Sequence, residues 1–256
     1  MAATGVNQNQ IHIDLTFPKS WNELMSNQKR LYYIFFLLSQ DFGIETVKTL
    51  ALLRFNEIKV IGRNGNKYLV ERKGMMFLLD PMQFAEVSEQ LDFLGEIPDT
   101  VVFLKRIRFS AACDEYFRGV PFSTYLMCEN YYQGFLHQKD TSLLNPIGNL
   151  LYPGLSSSVK LNKTELTSLF YWYASLKKYL STQFPFFFKP FDSSEESALG
   201  LKAQMQSNMQ AQIRALSKGD VTKVDKILET DTWQALAELD AQAKEAAEFN
   251  NKYGKK

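Results

Sequence analysis

Few residues in this chain could do chemistry: His12 and His137, Cys113 and Cys128, one glycine-rich turn and one basic cluster. Nucleophilic catalysis needs a base within hydrogen-bond reach of the nucleophile, and a group that orients the base. His12 stands beside Asp14 in the alternating stretch Ile11-His12-Ile13-Asp14-Leu15-Thr16, which reads as the polar face of a half-buried strand. His137 falls at a helix end, where its partial positive charge suits the dipole. There is no G-x-S-x-G elbow, and neither cysteine has a catalytic signature around it. Both cysteines read as small buried hydrophobes. No catalytic residue is expected, and an enzyme would need a pocket joining His137 or Cys128 to carboxylates.

Metal and cofactor chemistry is equally thin. His12 and Asp14 could offer two ligands from one strand face, whereas zinc takes three or four. Gly62-Arg63-Asn64-Gly65-Asn66 has the wrong spacing for a dinucleotide loop, and a hairpin turn accounts for its glycines. The expectation is no metal and no cofactor. Lys105-Arg106-Ile107-Arg108, read as a strand, puts Arg106 and Arg108 on one face, either gripping an anion or guarding a sheet edge. A formal charge of +1 gives nucleic acid no global footprint and argues against it as a partner.

These residues must be positioned by a chain of 256 residues, long enough for one large domain or two small ones. With 45% hydrophobic and 22% charged residues it has the composition of a folded protein. Two cysteines and no signal-like opening point to a reducing compartment. The longest charge-free stretch, residues 141–159, contains Pro146 and Pro153 and is too polar to span a bilayer, so no membrane association is expected.

After the opening strand, Ser20 and Glu23 have capping-box spacing before a helix carrying Trp21, Leu24, Leu31, Ile34, Phe35 and Leu38 on one face. A second helix is expected from Ile44 to Phe55. Asn64-Gly65 between two apolar runs marks a tight hairpin, and the run Met75 to Leu79 adds a third strand. Asp80-Pro81 opens a helix ending at Gly95, and Thr100 to Phe109 reads as another strand. Beyond Gly119-Val120-Pro121 the chain reads as helix: 122–136, 142–151, 163–183, 195–216, and 221–251 with a break near Thr230. Asn162 or Thr164 would cap the third of these. The expected fold class is α+β. Residues 1–120 form an α+β domain with a small antiparallel meander, 121–192 an aromatic-rich helical domain, and 193–256 an extended amphipathic helical tail.

Two segments have no complete local explanation. One is aromatic: Phe170-Tyr171-Trp172-Tyr173, then Phe184-Pro185-Phe186-Phe187-Phe188-Lys189-Pro190-Phe191. Consecutive large rings cannot share one stripe, so the helix is either buried on most sides or presents a surface to a partner. The other is the last helix, where Trp233, Leu236, Leu239, Ala243, Ala246 and Phe249 mark a narrow face suited to a partner helix or a second copy of the chain. Trp172, Phe186, Phe187, Phe188, Trp233, Leu236 and Leu239 are therefore the candidate partner-binding residues.

Phe17-Pro18-Lys19-Ser20-Trp21-Asn22-Glu23-Leu24 and Trp233-Gln234-Ala235-Leu236-Ala237-Glu238-Leu239-Asp240 resemble phage and prophage proteins of the tail-assembly region. The layout, an α+β head and a charged helical tail, is similar to that of tail-assembly chaperones. This resemblance implies a non-enzymatic protein of the bacterial host cytoplasm that binds a tape-measure-like partner before tail polymerisation. It also implies that Gly254-Lys255-Lys256 could be encoded by a lysine-codon slippery run. A structural virion component and an enzyme of unknown class are the alternatives.

Overall fold

The computed structural model describes residues 15–188 and 201–253, with side chains described from 206 onward in the second stretch. His12, Asp14, residues 189–200 and the Gly254-Lys255-Lys256 end lie outside the described residues. The architecture is α+β: a three-stranded antiparallel sheet among helices, followed by a helical part. The chain divides into two compact units, Met1–Glu96 and Ile97–Lys256. That division lies upstream of the boundary expected at residues 119–121. No helix among the described residues is long and apolar enough to cross a membrane.

In the first unit Ser20 caps α1 (Trp21–Met25), its hydroxyl accepting from the Glu23 amide at 3.3 Å. The Glu23 carboxylate accepts from Lys19 N, one residue before the position a complete capping box requires. The expected single helix through Leu38 is broken at Ser26-Asn27. Both side chains bond local backbone there, and Asn27 becomes the N-cap of α2 (Gln28–Leu38). α3 (Ile44–Phe55) packs against α2. The core includes Trp21, Leu31, Phe35, Val47, Leu52 and Leu91, and the Trp21 indole donates to Phe93 O at 3.0 Å. Lys48, 6% exposed, enters this packing with its ammonium held by Asp92 and Glu45. Those hydrogen bonds outweigh burial and hold its pKa above the ordinary lysine value.

The meander runs β1 (Lys59–Asn64), β2 (Lys67–Arg72), β3 (Met75–Leu79) in spatial order. Asn64 pairs with Lys67, so the two turn residues are Gly65 and Asn66, one place later than the expected Asn64-Gly65 pair. Gly65 at φ +60° takes the first central position, as a type II′ turn requires. The second hairpin turns on Lys73 and Gly74, both at positive φ, the type I′ pattern. Val70 and Phe77 pair across the inner face and bury with Ile58 against Leu15 and Leu53. α4 (Pro81–Ser88) follows, capped by Asp80, and the rest of the expected helix is a tighter 3₁₀ segment, Glu89–Gly95.

In the second unit the strand expected over residues 100–109 reduces to β4 (Arg106–Ile107) paired with β5 (Ser110–Ala111). Val101 to Leu104 are buried without a ladder, and the side chains of Ser175 and Tyr152 serve part of their backbone. Ser175 Oγ accepts from Val102 N at 3.1 Å, and Tyr152 donates to Leu104 O at 2.5 Å. The helices are α5 (Phe122–Gln138), α6 (Leu144–Leu151), α7 (Lys163–Gln183), α8 (Leu201–Ser217), α9 (Val224–Leu228) and α10 (Thr232–Tyr253). Asn162 and Glu165 form a complete capping box on α7. Gly148 of α6 sits where a Cβ would lie 2.5 Å from a Leu161 methyl carbon, so the absence of a side chain sets that close approach.

Candidate protein-docking surface

The candidate anchors from the sequence are largely occupied within the second unit. Trp172 is 0% exposed, its ring centroid 5.1 Å from Phe103 and 5.5 Å from Tyr152, with its indole donating to Glu115 O. α7 is buried on most sides, which answers the clustering of rings at 170–173. Leu236 and Leu239 are buried on α10, and Trp233 is half-buried, 5.3 Å from Phe184, with its indole donating to Tyr116 O. Residues 119–122 and 230–232 are stitched together. Phe122 N donates to Thr230 O at 2.8 Å, and Thr232 donates to Val120 O from both its amide and its hydroxyl. The start of α10 is thus part of the folded unit rather than an extended tail.

Phe186 and Phe187 meet the same helix. Their amides donate to one oxygen of the Asp240 carboxylate at 2.7 and 2.9 Å, and the Lys244 ammonium lies 5.8 Å over the Phe186 ring. Phe188 stacks edge-on with Phe187 at 4.9 Å. The aromatic turn and the terminal helix, the two segments expected to await a partner, partner each other. Only the far end of α10 differs: Phe249 and Tyr253 are exposed and stack on one another at 4.9 Å.

The other chemical candidates are similarly accounted for. Cys128 is fully buried, and burial pushes its thiol well above the ordinary value. Burial, assisted by Asp114, pushes the Cys113 thiol up to about 12. At pH 8 Cys113 therefore carries almost no thiolate, and its alkylation by iodoacetamide in the native chain is expected to be more than tenfold slower than in the urea-unfolded chain. Equal rates, read by mass spectrometry, would contradict that environment. His137 is exposed in the last turn of α5. Arg106 and Arg108 do not share a strand face. Arg108 sits in the β4–β5 turn at φ +53°, pairing with Glu165 at 3.4 Å and donating to Lys160 O at 2.7 Å. Among the described residues no group of three His, Cys, Asp or Glu side chains is placed to hold a metal ion.

Unsatisfied apolar surface is concentrated instead in the first unit. Among the described residues β3 is an edge strand, with no charge or proline in Met75-Met76-Phe77-Leu78-Leu79. Met75, Met76 and Leu78 are 59, 65 and 46% exposed. Leu78 pairs with Leu69, and Met76 with Glu71, on the face opposite the Val70–Phe77 core. On the inner side, Thr49, Leu53, Val60, Tyr68, Leu79 and Phe84 line an apolar hollow of about 370 Å³ between α3, α4 and the sheet. Native edge strands are normally blunted by lysine, proline or a bulge. β1, the other edge, has both charge (Lys59, Arg63) and a bulge between Val60 and Gly62. β3 has neither, and among the described residues no strand pairs with its outer edge, which lies beside flexible thioethers that adapt to varied surfaces. The sequence carried a signal for this. Five apolar residues in a row break the alternation that a strand with one wet face should show.

Comparison with protein-family models, with curated proteins and with solved structures finds no match to this chain.

Proposed function

We propose that this chain is a non-enzymatic assembly protein of the phage type, a tail-assembly chaperone that holds a tape-measure-like protein in the host cytoplasm. The observation that carries the docking role is the uncharged edge strand β3, with Met75, Met76 and Leu78 open to solvent. An extended segment of the partner would add to that edge, its backbone completing the ladder and its apolar side chains covering the methionines. The phage assignment itself rests on the resemblance of residues 17–24 and 233–240 to proteins of the tail-assembly region.

The test is co-purification of the tape-measure-like protein with wild type and with a Met76→Glu, Leu78→Glu double variant. Both side chains project into water, so each change should alter stability by about 0.5 kcal/mol or less. Capture should fall at least tenfold, because two carboxylates would have to be desolvated in the interface. Undiminished capture would remove β3 from the reading. Mass spectrometry of finished particles separates a chaperone, absent from them, from a structural virion component.

A further inference from the structure

A second surface of the first unit has a different chemistry. α2 and α3 exchange cations and rings: Arg30 of α2 lies 5.1 Å over Phe55 of α3, and Arg54 of α3 lies 5.9 Å over Tyr33 of α2. Tyr33 also meets Phe55 edge-on at 6.2 Å and stacks with Phe36 at 6.1 Å. These residues line an open hollow of about 830 Å³, with Lys29 and Lys59 also in its wall and Glu57 as its one acidic residue. Among the described residues no carboxylate comes within ion-pair distance of Lys29, Arg30, Arg54 or Lys59. Four cations thus face one hollow with little local neutralisation. The chain's near-neutral total charge hides this.

The arrangement suits a particular ligand. A guanidinium over a ring keeps its N–H donors, the fork that matches phosphate oxygens. Tyr32 and Phe36, one turn apart on α2, are 41 and 42% exposed and offer ring faces on which bases can stack. Lys29 of α2 and Lys59 at the start of β1 flank the two guanidiniums in the wall of the same hollow. An acidic peptide would match the cations but leave the exposed rings unused.

We infer that the Arg30–Arg54 hollow binds single-stranded nucleic acid, phosphates on Lys29, Arg30, Arg54 and Lys59 and bases on Tyr32 and Phe36. This site lies at the opposite edge of the sheet from β3 and does not depend on the docking role of that strand.

Fluorescence anisotropy of the full chain with a labelled oligothymidylate of about sixteen nucleotides tests it. Neutralising four phosphates should weaken binding about fifty-fold between 50 and 200 mM salt. Lys29→Glu with Lys59→Glu, both on exposed side chains, should lower affinity more than tenfold while the thermal melt stays unchanged. Tyr32→Ala with Phe36→Ala should weaken the oligonucleotide but not inorganic tripolyphosphate, because only the first has bases to stack. No binding at 50 mM salt, or affinity indifferent to the lysine reversals, would overturn the inference. Competition by poly-glutamate as effective as by unlabelled oligothymidylate would overturn it too, and reassign the hollow to an acidic protein segment.

Discussion

Trp172→Ala is expected to destabilise the second unit by about 3–5 kcal/mol, the range for deleting a fully buried aromatic side chain. The indole is enclosed by Phe103 and Tyr152, and its N–H is the hydrogen-bond partner of Glu115 O. Truncation therefore opens a cavity and strips a carbonyl at once. For a unit of this size the loss corresponds to roughly 6–20 °C in melting temperature, measurable by calorimetry alongside a urea titration. A side chain awaiting a partner would behave differently, since its removal would leave the free chain almost as stable as before. A loss below about 1 kcal/mol, typical of surface positions, would therefore restore Trp172 as an interface candidate.

Leu236→Ala should cost about 2–5 kcal/mol by the same cavity argument. Leu236 is 0% exposed in the second turn of α10, just after Asp231 and Thr232, whose bonds with Gly119 N and Val120 O tie this helix to the residues before α5. A Trp233→Ala, Leu236→Ala double variant that loses a partner would report unfolding of α10 as much as a lost contact, so its urea midpoint must be measured beside any capture assay. If Leu236→Ala leaves the midpoint unchanged, α10 is the free arm that its narrow apolar stripe first suggested.

The stripe shows where local pattern stops being informative. Spacing of three and four between Trp233, Leu236 and Leu239 establishes that one helix face is covered. It does not say whether the cover is the same chain or another molecule. Here the cover is the chain itself: Phe184 meets the Trp233 ring, and α10 packs against α5 and α8. Signals that depend on neighbouring residues read well: the Asn162–Glu165 capping box, the Asp80-Pro81 helix start and the positive-φ glycine of the hairpin. Residues 101–104 misread as strand because part of their backbone is served by Ser175 and Tyr152, far along the chain. The paired arginines and rings of α2 and α3 were hidden for the same reason. Arg30 and Tyr33 meet Phe55 and Arg54 only after the two helices pack. The exposed side of β3 was legible as an anomaly, an apolar run with no alternation, without revealing which face would stay open.

Hydrogen exchange of the full chain, alone and with the tape-measure-like protein, tests the central claim that β3 is the docking edge. Those amides of residues 75–79 that face away from β2 should be markedly slowed on binding, while those of 232–240, already held in α10, should be unchanged. Slowing confined to 172–188 and 232–240, with 75–79 exchanging as in the free chain, would contradict the account and return the partner to the aromatic turn and the terminal helix.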